Sequence, residues 1–195
     1  MTYATLKTDI AAWMHRDDLT ANIDTFIDLF EARVNRNLRV PEMEKRATST
    51  PTDAYIALPD DFLELRNIQI NSNPVRLLEY ASPQKIDAMS YLTGTALYYT
   101  LVGNEFQIHP SAADSEVEIA YYSKIPALDA TTTTNWLIDS NPDYYLAGCL
   151  LEAFTFVLDD RASMYASIVA EKEALINRAG KSKQYGSGPL VVSAA

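Results

Sequence analysis

The side chains of this chain that could serve catalysis or metal binding are three adjacent acidic pairs, two histidines and one cysteine. The acidic pairs are Asp17-Asp18, Asp60-Asp61 and Asp159-Asp160. Adjacent residues face different directions on a helix or a strand, whereas acid–base or metal chemistry needs carboxylates that converge on one point. Two pairs lie at apparent helix boundaries and the third in a turn, so capping accounts for them. We predict no catalytic or metal site there.

The histidines and the cysteine are isolated. His15 ends a predicted helix and His109 a predicted strand, which gives too few imidazoles for a His-based metal site or triad. Cys149 lies in an apolar segment and has no partner for an internal disulfide, so we predict a small buried side chain and not a nucleophile. The chain also lacks a glycine-rich phosphate loop and the CxxC, HExxH and GxSxG motifs. We predict no enzyme activity, metal or cofactor.

Glu152 has the most unusual predicted environment of the ionisable residues, because it is the single charge between Tyr144 and Leu158. A carboxylate on an apolar helix is either tuned for function or, more often, paired with Arg or Lys or placed along an exposed edge. We predict the paired or exposed arrangement.

The helix that carries Glu152 is predicted to span Asn141 to Leu158, and the rest of the fold to form around it. Its apolar residues occupy all sides of the helical wheel, so most of its surface must be covered. It is shorter than the about 20 apolar residues that span a bilayer. We predict the central helix of a globular core. The side chains expected to be buried there are Leu150, Leu151, Phe154 and Phe156.

Three further helices are indicated by apolar residues spaced three and four apart. The first covers roughly residues 4–15, the second ends at Pro41, and the third begins after Asp160 and stops at Gly180. Their predicted apolar faces are Leu6, Ile10, Trp13 and Met14 in the first; Ile23, Phe26, Ile27, Phe30, Val34 and Leu38 in the second; and Met164, Tyr165, Ile168, Leu175 and Ile176 in the third.

Arg33, Arg36 and Arg39 crowd the C-terminal half of the second helix. One interpretation is a contact with phosphate groups or with an acidic partner. The other, which we favour, is that these cations complement the helix dipole and form i,i+3 pairs on a solvated face.

From Glu42 to Lys124 the apolar period changes from 3.6 to 2, which predicts an antiparallel sheet of about four to six strands. The clearest hairpin joins residues 96–102 to 105–109 through Gly103-Asn104, a Gly-X loop that suits a type II′ turn. A change of parity at Arg66-Asn67 indicates a β-bulge. Residues 75–80 are predicted to form one short strand.

Together these elements predict an α+β chain that is mainly an α-helical bundle of about four main helices with an inserted antiparallel β-rich subdomain. The predicted boundaries are 1–41 for the N-terminal helices, 42–128 for the insert, 129–180 for the central and C-terminal helices, and 181–195 for a flexible C-terminal arm. Within the arm, Leu190-Val191-Val192 follows a Gly-Ser-Gly joint. These residues either fray or add a strand to a neighbouring protein.

Composition excludes some classes of protein. A net charge of −10 and a pI near 4.6 disfavour a protein that grips nucleic-acid phosphates over a broad surface. No basic region followed by an apolar run opens the chain, so no signal peptide is predicted, and folding in a reducing cytoplasm is expected. Twelve tyrosines are a high count, and tyrosine is frequent at interfaces.

Four segments stand out by their order and spacing. They are Leu58-Pro59-Asp60-Asp61-Phe62, the link from Tyr121-Tyr122 to Leu128, Asn135-Trp136-Leu137-Ile138, and Pro142-Asp143-Tyr144-Tyr145-Leu146 with Glu152-Ala153. With two helices before them, they resemble the head–tail connector, or adaptor, proteins of tailed bacteriophages, and most closely the portal-docking adaptors of short-tailed phages. The resemblance covers nearly the whole chain, and none of its segments is a catalytic signature.

The resemblance implies a structural virion protein of the head–tail neck, assembled in the host cytoplasm. Members of that family form a ring, usually of twelve copies, that docks on the portal protein after DNA packaging and extends the DNA channel toward tail and nozzle proteins. Genomic DNA would pass through the lumen during ejection without specific binding, and neither a cofactor nor a membrane is implied. The C-terminal arm commonly reaches the portal. The candidate partner interface is therefore Tyr185, Pro189, Leu190, Val191 and Val192, with Arg33, Arg36 and Arg39.

Two alternatives stay open. A receptor- or glycan-binding module would use the β-rich insert as a platform, with Tyr91, Tyr98 and Tyr99 exposed, although no convergent polar set is visible there. A small cytoplasmic enzyme would need a pocket around Glu152.

Overall fold

The computed structural model describes residues 1–16 and 18–185 and divides the chain into two units. The first, here named the helical unit, consists of Met1–Met43 and the chain from Ile125 onward. The second, named the sheet unit, is Glu44–Lys124. No helix in the described ranges is both long and apolar enough to cross a membrane.

Along the chain, the sheet unit is inserted once into the helical unit. The helices are α1 (Tyr3–Met14), α2 (Ile23–Asn37), α3 (Pro83–Ala88), α4 (Trp136–Ser140), α5 (Pro142–Phe156) and α6 (Arg161–Tyr185). The strands are β1 (Glu44–Ser49), β2 (Tyr55–Ala57), β3 (Phe62–Ile70), β4 (Arg76–Leu77), β5 (Glu79–Tyr80), β6 (Tyr98–Val102), β7 (Glu105–His109) and β8 (Val117–Ser123). Single 3-10 turns at Thr20–Asn22 and Pro41–Met43 flank α2.

Helix α5 lies at the centre of the helical unit, where α1, α2, α4 and α6 all contact it. Phe30 of α2 packs edge-on against both Tyr144 and Tyr145, with ring centroids 5.1 Å apart in each case. Gly148 makes this approach possible, because a Cβ atom there would lie 2.0 Å from the Phe30 ring. The prediction of a central, covered helix is therefore confirmed.

Burial on α5 departs from the prediction at one residue. Leu150, Leu151 and Phe154 are buried, as expected. Phe156 is 59% exposed, so its predicted burial is wrong. It stands in the last turn of the helix, where the Phe26 ring packs against it with its centroid 5.6 Å away.

The apolar faces of α1 and α2 are also largely as predicted. Every predicted residue on them is buried except Trp13, which is 55% exposed near the end of α1. Helix α6 differs more, because Met164 and Leu175 are exposed. Gly180 does not stop α6, which continues to Tyr185. A Cβ atom at position 180 would lie 2.8 Å from Cγ1 of Val40, so this glycine permits a close approach instead.

The sheet unit contains two four-stranded sheets, with strand orders β1-β8-β3-β4 and β2-β7-β6-β5. All pairs are antiparallel except β5 with β6, which are parallel. Alternate side chains of both sheets fill one apolar core, since strand residues alternate between two faces. Its members include Ile68, Val117, Ile119 and Tyr121 from the first sheet, and Ile56, Phe106 and Ile108 from the second.

Two local predictions in the sheet unit are confirmed. Strands β6 and β7 form the hairpin, and Gly103 has the φ of 62° that a type II′ turn requires at its first central position. The register of β3 against β8 shifts between Leu65 and Asn67, which is the β-bulge indicated by the change of parity.

The predicted fold class is wrong. The described residues form an α+β fold of six helices and two four-stranded sheets, about 45% helix and 21% strand, and not a clear four-helix bundle with one inserted antiparallel sheet. Residues 75–80 show why one sheet was predicted where the structure has two. The stretch predicted as one strand gives Arg76–Leu77 to the first sheet and Glu79–Tyr80 to the second. Leu78, between them, is buried. Alternation predicts strands, but tertiary packing decides which sheet each one joins.

Candidate partner-binding surfaces

Arg33, in the C-terminal half of α2, is held by an internal ion pair. Its Nη2 and Nε atoms lie 2.7 and 2.9 Å from Oε1 of Glu152 on α5. A carboxylate on a covered helix needs such a partner, because burial of an unpaired charge is costly. The prediction that Glu152 is paired or exposed is confirmed in its paired form.

The other two arginines of the triplet have different environments. Arg39 donates hydrogen bonds to the carbonyl oxygens of Asn35 and Leu38, at 2.9 and 2.6 Å, at the C-terminal end of α2. Those carbonyls have no partner within the helix, so the guanidinium satisfies them. Arg36 is exposed, and the described part of the chain offers it no ion pair. Contact of the triplet with a partner stays a prediction.

The remaining candidate interface residues lie at the end of the chain. Tyr185 is the last residue of α6, and its side chain is not described. Pro189, Leu190, Val191 and Val192 lie outside the described residues. Their role in binding the portal likewise stays a prediction.

Glu31 is a buried carboxylate that the sequence patterns did not single out. It is 5% exposed, and its Oε1 accepts hydrogen bonds from the Tyr145 hydroxyl and from the Leu128 backbone N–H at 2.9 Å. Asn135 Nδ2 donates to the Tyr145 oxygen at 3.2 Å and to the Pro126 carbonyl at 2.8 Å. This network joins α2 and α5 to the segment that precedes α4.

Burial sets the protonation properties of this network. Burial raises the pKa of Glu31, although the hydrogen bonds from Tyr145 and Leu128 oppose the rise. Burial and the neighbouring Glu31 carboxylate raise the pKa of Tyr145 as well, so its hydroxyl remains the donor. Glu31 could have been found from spacing: it follows Ile27 by four residues and precedes Val34 by three, which puts it on the apolar face of α2.

Polar side chains also fix α6 in place. Glu173 accepts hydrogen bonds from the Tyr144 hydroxyl at 3.4 Å and from Asn37 Nδ2 at 3.2 Å. Lys172 forms an ion pair with Asp143 at the start of α5. These contacts tie α6 to α2 and α5 by polar atoms, while few of its apolar side chains are buried.

The residues with the most reactive chemistry have structural surroundings. Cys149 is completely buried, so its predicted burial is confirmed, and that burial raises the pKa of its thiol well above the ordinary value. His109 Nε2 lies 2.8 Å from the Met89 carbonyl oxygen. Within residues 1–16 and 18–185, no group of three or more His, Cys, Asp or Glu residues is placed to hold a metal ion.

Capping accounts for the acidic pairs only in part. Asp159 accepts the Arg161 backbone N–H at 2.9 Å at the start of α6, and the Arg161 guanidinium lowers the pKa of that carboxyl to about 2. Asp61 instead forms an ion pair with Lys45 at 2.6 Å and accepts a hydrogen bond from Tyr121 at 2.9 Å. Asp18 pairs with Arg16 at 2.6 Å, and Asp17 lies outside the described residues.

An apolar groove of about 380 Å³ lies in the helical unit between α1, α5 and α6. Its walls include Trp13, Leu146, Leu150, Met164, Tyr165 and Ile168. The pair of Asp143 and Lys172 stands at the end of the groove nearest the start of α5. Trp13 and Met164 are each about half exposed, so the groove presents apolar surface to solvent.

A second apolar surface, here named the apolar corner, consists of Phe156 and Leu158 at the end of α5. The helix ends in a Schellman motif, in which Asp159 N donates to Phe154 O at 2.9 Å and Leu158 N to Thr155 O at 3.2 Å. Leu158 has a φ of 57°, in the left-handed region that usually selects glycine at this position. It is nevertheless a leucine, and it is 91% exposed.

The tyrosines of the alternative binding platform do not form one exposed surface. Tyr91 is exposed, as expected. Tyr99 is half-buried against Phe106, with ring centroids 6.1 Å apart, and Tyr98 is half-buried with Lys85 Nζ 5.2 Å from its ring centroid. The predicted exposure is therefore wrong for Tyr98 and Tyr99.

Comparison with known proteins gives a family match. A family model described as SU10 adaptor protein matches residues 1–193. The match extends through both units, so it does not depend on a single motif. A search of curated proteins finds no match.

Proposed function

Because this chain belongs to the SU10 adaptor protein family, and is thus a structural adaptor protein of bacteriophages, we propose that it forms a ring beneath the portal in the virion neck. In this proposal the ring extends the DNA channel and gives tail components their attachment site. It contains twelve copies and belongs to a short-tailed phage. The family implies portal and tail proteins as partners.

The observation that carries the proposal is the family match over residues 1–193. The contacts of the helical unit support it. Glu31, Arg33 and Glu152 are engaged in pairs within the unit, whereas its exposed surface includes the apolar groove and the apolar corner. Exposed apolar surface of this kind is typical of proteins that bind other proteins.

The net charge of −10 supports the part of the proposal that concerns DNA. Duplex DNA is held mainly through cations placed against its phosphates, so an acidic channel lets DNA pass without sticking. We expect isolated rings to bind duplex DNA weakly at physiological salt, as measured by fluorescence anisotropy. Tight binding under those conditions would contradict this role.

Light scattering of the purified chain, alone and mixed with the portal protein of its phage, tests the proposal directly. We expect a portal-dependent increase in mass that corresponds to about twelve added copies. Electron microscopy of the virion should then show the ring in the neck. A virion whose neck lacks this chain, or a monomer that ignores the portal and binds a glycan, would overturn the proposal.

A further inference from the structure

We propose that the apolar corner of one copy occupies the apolar groove of the next copy. The inference rests on the proposed ring and names the surfaces that join its neighbours. Phe156 and Leu158 of one chain would enter the space between Trp13 and Met164 of another.

The conformation of Leu158 is the first observation behind this proposal. A left-handed backbone conformation is unfavourable for a leucine, and glycine would relieve it. Full burial would compensate a leucine at such a position, but Leu158 is 91% exposed in the single chain. An exposed, strained apolar residue therefore points to a contact that the single chain does not make.

The apolar groove, which also lies on the helical unit, matches the apolar character of the corner. Its volume of about 380 Å³ lies within the range of pockets that bury apolar groups. Its walls are apolar over most of their length, and its exposed rim residues, Trp13 and Met164, are large. The groove accepts an apolar projection such as Phe156 with Leu158 and offers few partners to a charged one.

The two surfaces lie on different sides of α5. Phe156 and Ala147, which lines the groove, are nine residues apart, about two and a half turns, and so face opposite directions. Phe156 accordingly contacts Phe26 of α2, whereas the groove faces α1. A contact between two different surfaces of identical chains is heterologous, and repetition of it gives a closed ring or a filament.

The area of this contact indicates when it forms. An aromatic side chain buries roughly 150–250 Å², so the exposed parts of Phe156 and Trp13 offer about 100 Å² each. With Leu158 and Met164 the contact removes a few hundred Å², well below the about 1,200 Å² of a stable pair. Two free copies, each with a net charge of −10, also repel one another. The contact therefore holds in a closed ring, where every copy uses both surfaces, and not in a free dimer.

Cysteine crosslinking in assembled virions tests the proposal. With a short bismaleimide, the double variant Trp13→Cys with Leu158→Cys should give a ladder of crosslinked copies, while each single variant gives none. Mixed assembly of the two single variants should give dimers only. The native Cys149 is buried and does not react. The matched control replaces Trp13→Cys by Leu175→Cys, which is equally exposed on α6 but outside the groove, and should give no ladder.

The variant Leu158→Gly tests whether Leu158 serves the contact between copies or the stability of the single chain. Glycine relieves the left-handed conformation, so the melting temperature should stay unchanged or rise, while ring assembly on the portal weakens about tenfold. A variant that assembles normally, or that melts earlier than the native chain, overturns the proposal.

The outcomes also distinguish this inference from the function on which it rests. Virions that contain a ring of this chain but give no ladder with the double variant contradict the corner-and-groove contact and leave the adaptor function standing. Virions without the chain in the neck contradict the function itself.

Discussion

Hydrogen bonds and ion pairs of single polar side chains join the helices of the helical unit. Glu31 receives two hydrogen bonds from elements that lie far from it in the sequence, and Arg33 neutralises Glu152 across the α2–α5 contact. Each of these groups would be costly to bury alone. Together they favour the observed face of α2 against α5, because this arrangement gives each of these groups a partner.

Substitution of Glu31 tests the importance of this network. Glu31→Ala leaves the Leu128 N–H and the Tyr145 hydroxyl without an acceptor, and we expect it to lower the free energy of unfolding by about 2–4 kcal/mol. Glu31→Gln keeps an acceptor oxygen and should change stability by less than about 1 kcal/mol at neutral pH. Urea denaturation followed by circular dichroism measures both. Equal losses in the two variants would show that the hydrogen bonds are not the cause.

The native chain and the Glu31→Gln variant should also differ in how their stability depends on pH. The folded state raises the pKa of Glu31 above its ordinary value of 4.5, so it binds the proton more tightly than the unfolded chain does. The stability contributed by Glu31 therefore falls as pH rises from that value through the folded pKa. Glu31→Gln lacks this titration and should lose less stability than the native chain over that interval. Denaturation at a series of pH values checks the difference.

Thr100, on β6, gives a second prediction at the residue scale. Its Oγ1 is buried and has no hydrogen-bond partner among the described residues. Thr100→Val replaces an unsatisfied hydroxyl by a methyl group of similar size, so we expect a gain of about 1–2 kcal/mol in stability. The control is Thr100→Ala, which removes the hydroxyl but leaves a cavity. A loss of stability in the valine variant would mean that a bound water satisfies the hydroxyl.

At the scale of the elements, two glycines decide how closely the helices approach. Gly148 admits the Phe30 ring against α5, and Gly180 admits Val40 and Pro41 against α6. Glycine in a helix interior costs about 1 kcal/mol relative to alanine. Both glycines therefore lower intrinsic helix stability and are compensated by the packing that they permit.

Gly148→Ala tests this balance. Helix propensity alone predicts a gain, but the new Cβ would overlap the buried Phe30 ring, which Tyr144 and Tyr145 also confine. We expect a net loss of about 1–3 kcal/mol, measured by thermal or urea denaturation. The double variant Gly148→Ala with Phe30→Leu should recover part of the loss, since leucine leaves room for the methyl group. No recovery would place the cause elsewhere.

At the scale of the whole molecule, the family match establishes that the chain is a phage adaptor, as its resemblance to head–tail connectors predicted. Portal docking through the C-terminal arm stays a prediction. Within residues 1–16 and 18–185, α5 and α6 are held in place by pairs that involve Arg33, Glu173 and Lys172.

Deletion of the residues after Gly186 checks the role of the arm. We expect unchanged helical content and melting temperature by circular dichroism, together with loss of binding to the portal in a pull-down or light-scattering measurement. The control is the substitution of Leu190, Val191 and Val192 by serine in the full-length chain, which should reproduce the loss of binding. A truncated chain that melts much earlier would show that the arm belongs to the core.

The sequence alone determined the features that depend on local spacing. The nearly uncharged apolar run located the central helix, the Gly103-Asn104 loop between two strand-like segments located the β6–β7 hairpin, and the change of parity at Arg66-Asn67 located the bulge. The order of short segments was enough to suggest the family. Each of these signals lies within a few residues along the chain, or in the order of such signals, and therefore needs no knowledge of distant contacts.

The tertiary structure alone decided which surface of each element is covered. Glu31 is buried because α5 and the Leu128 segment close over it, whereas the described neighbours of Trp13 and Phe156 leave more than half of each side chain exposed. Likewise, Arg76–Leu77 and Glu79–Tyr80 join different sheets, which no period could show. Burial and pairing are properties of residues that are distant in sequence and adjacent in space, so local patterns predict elements but not their partners.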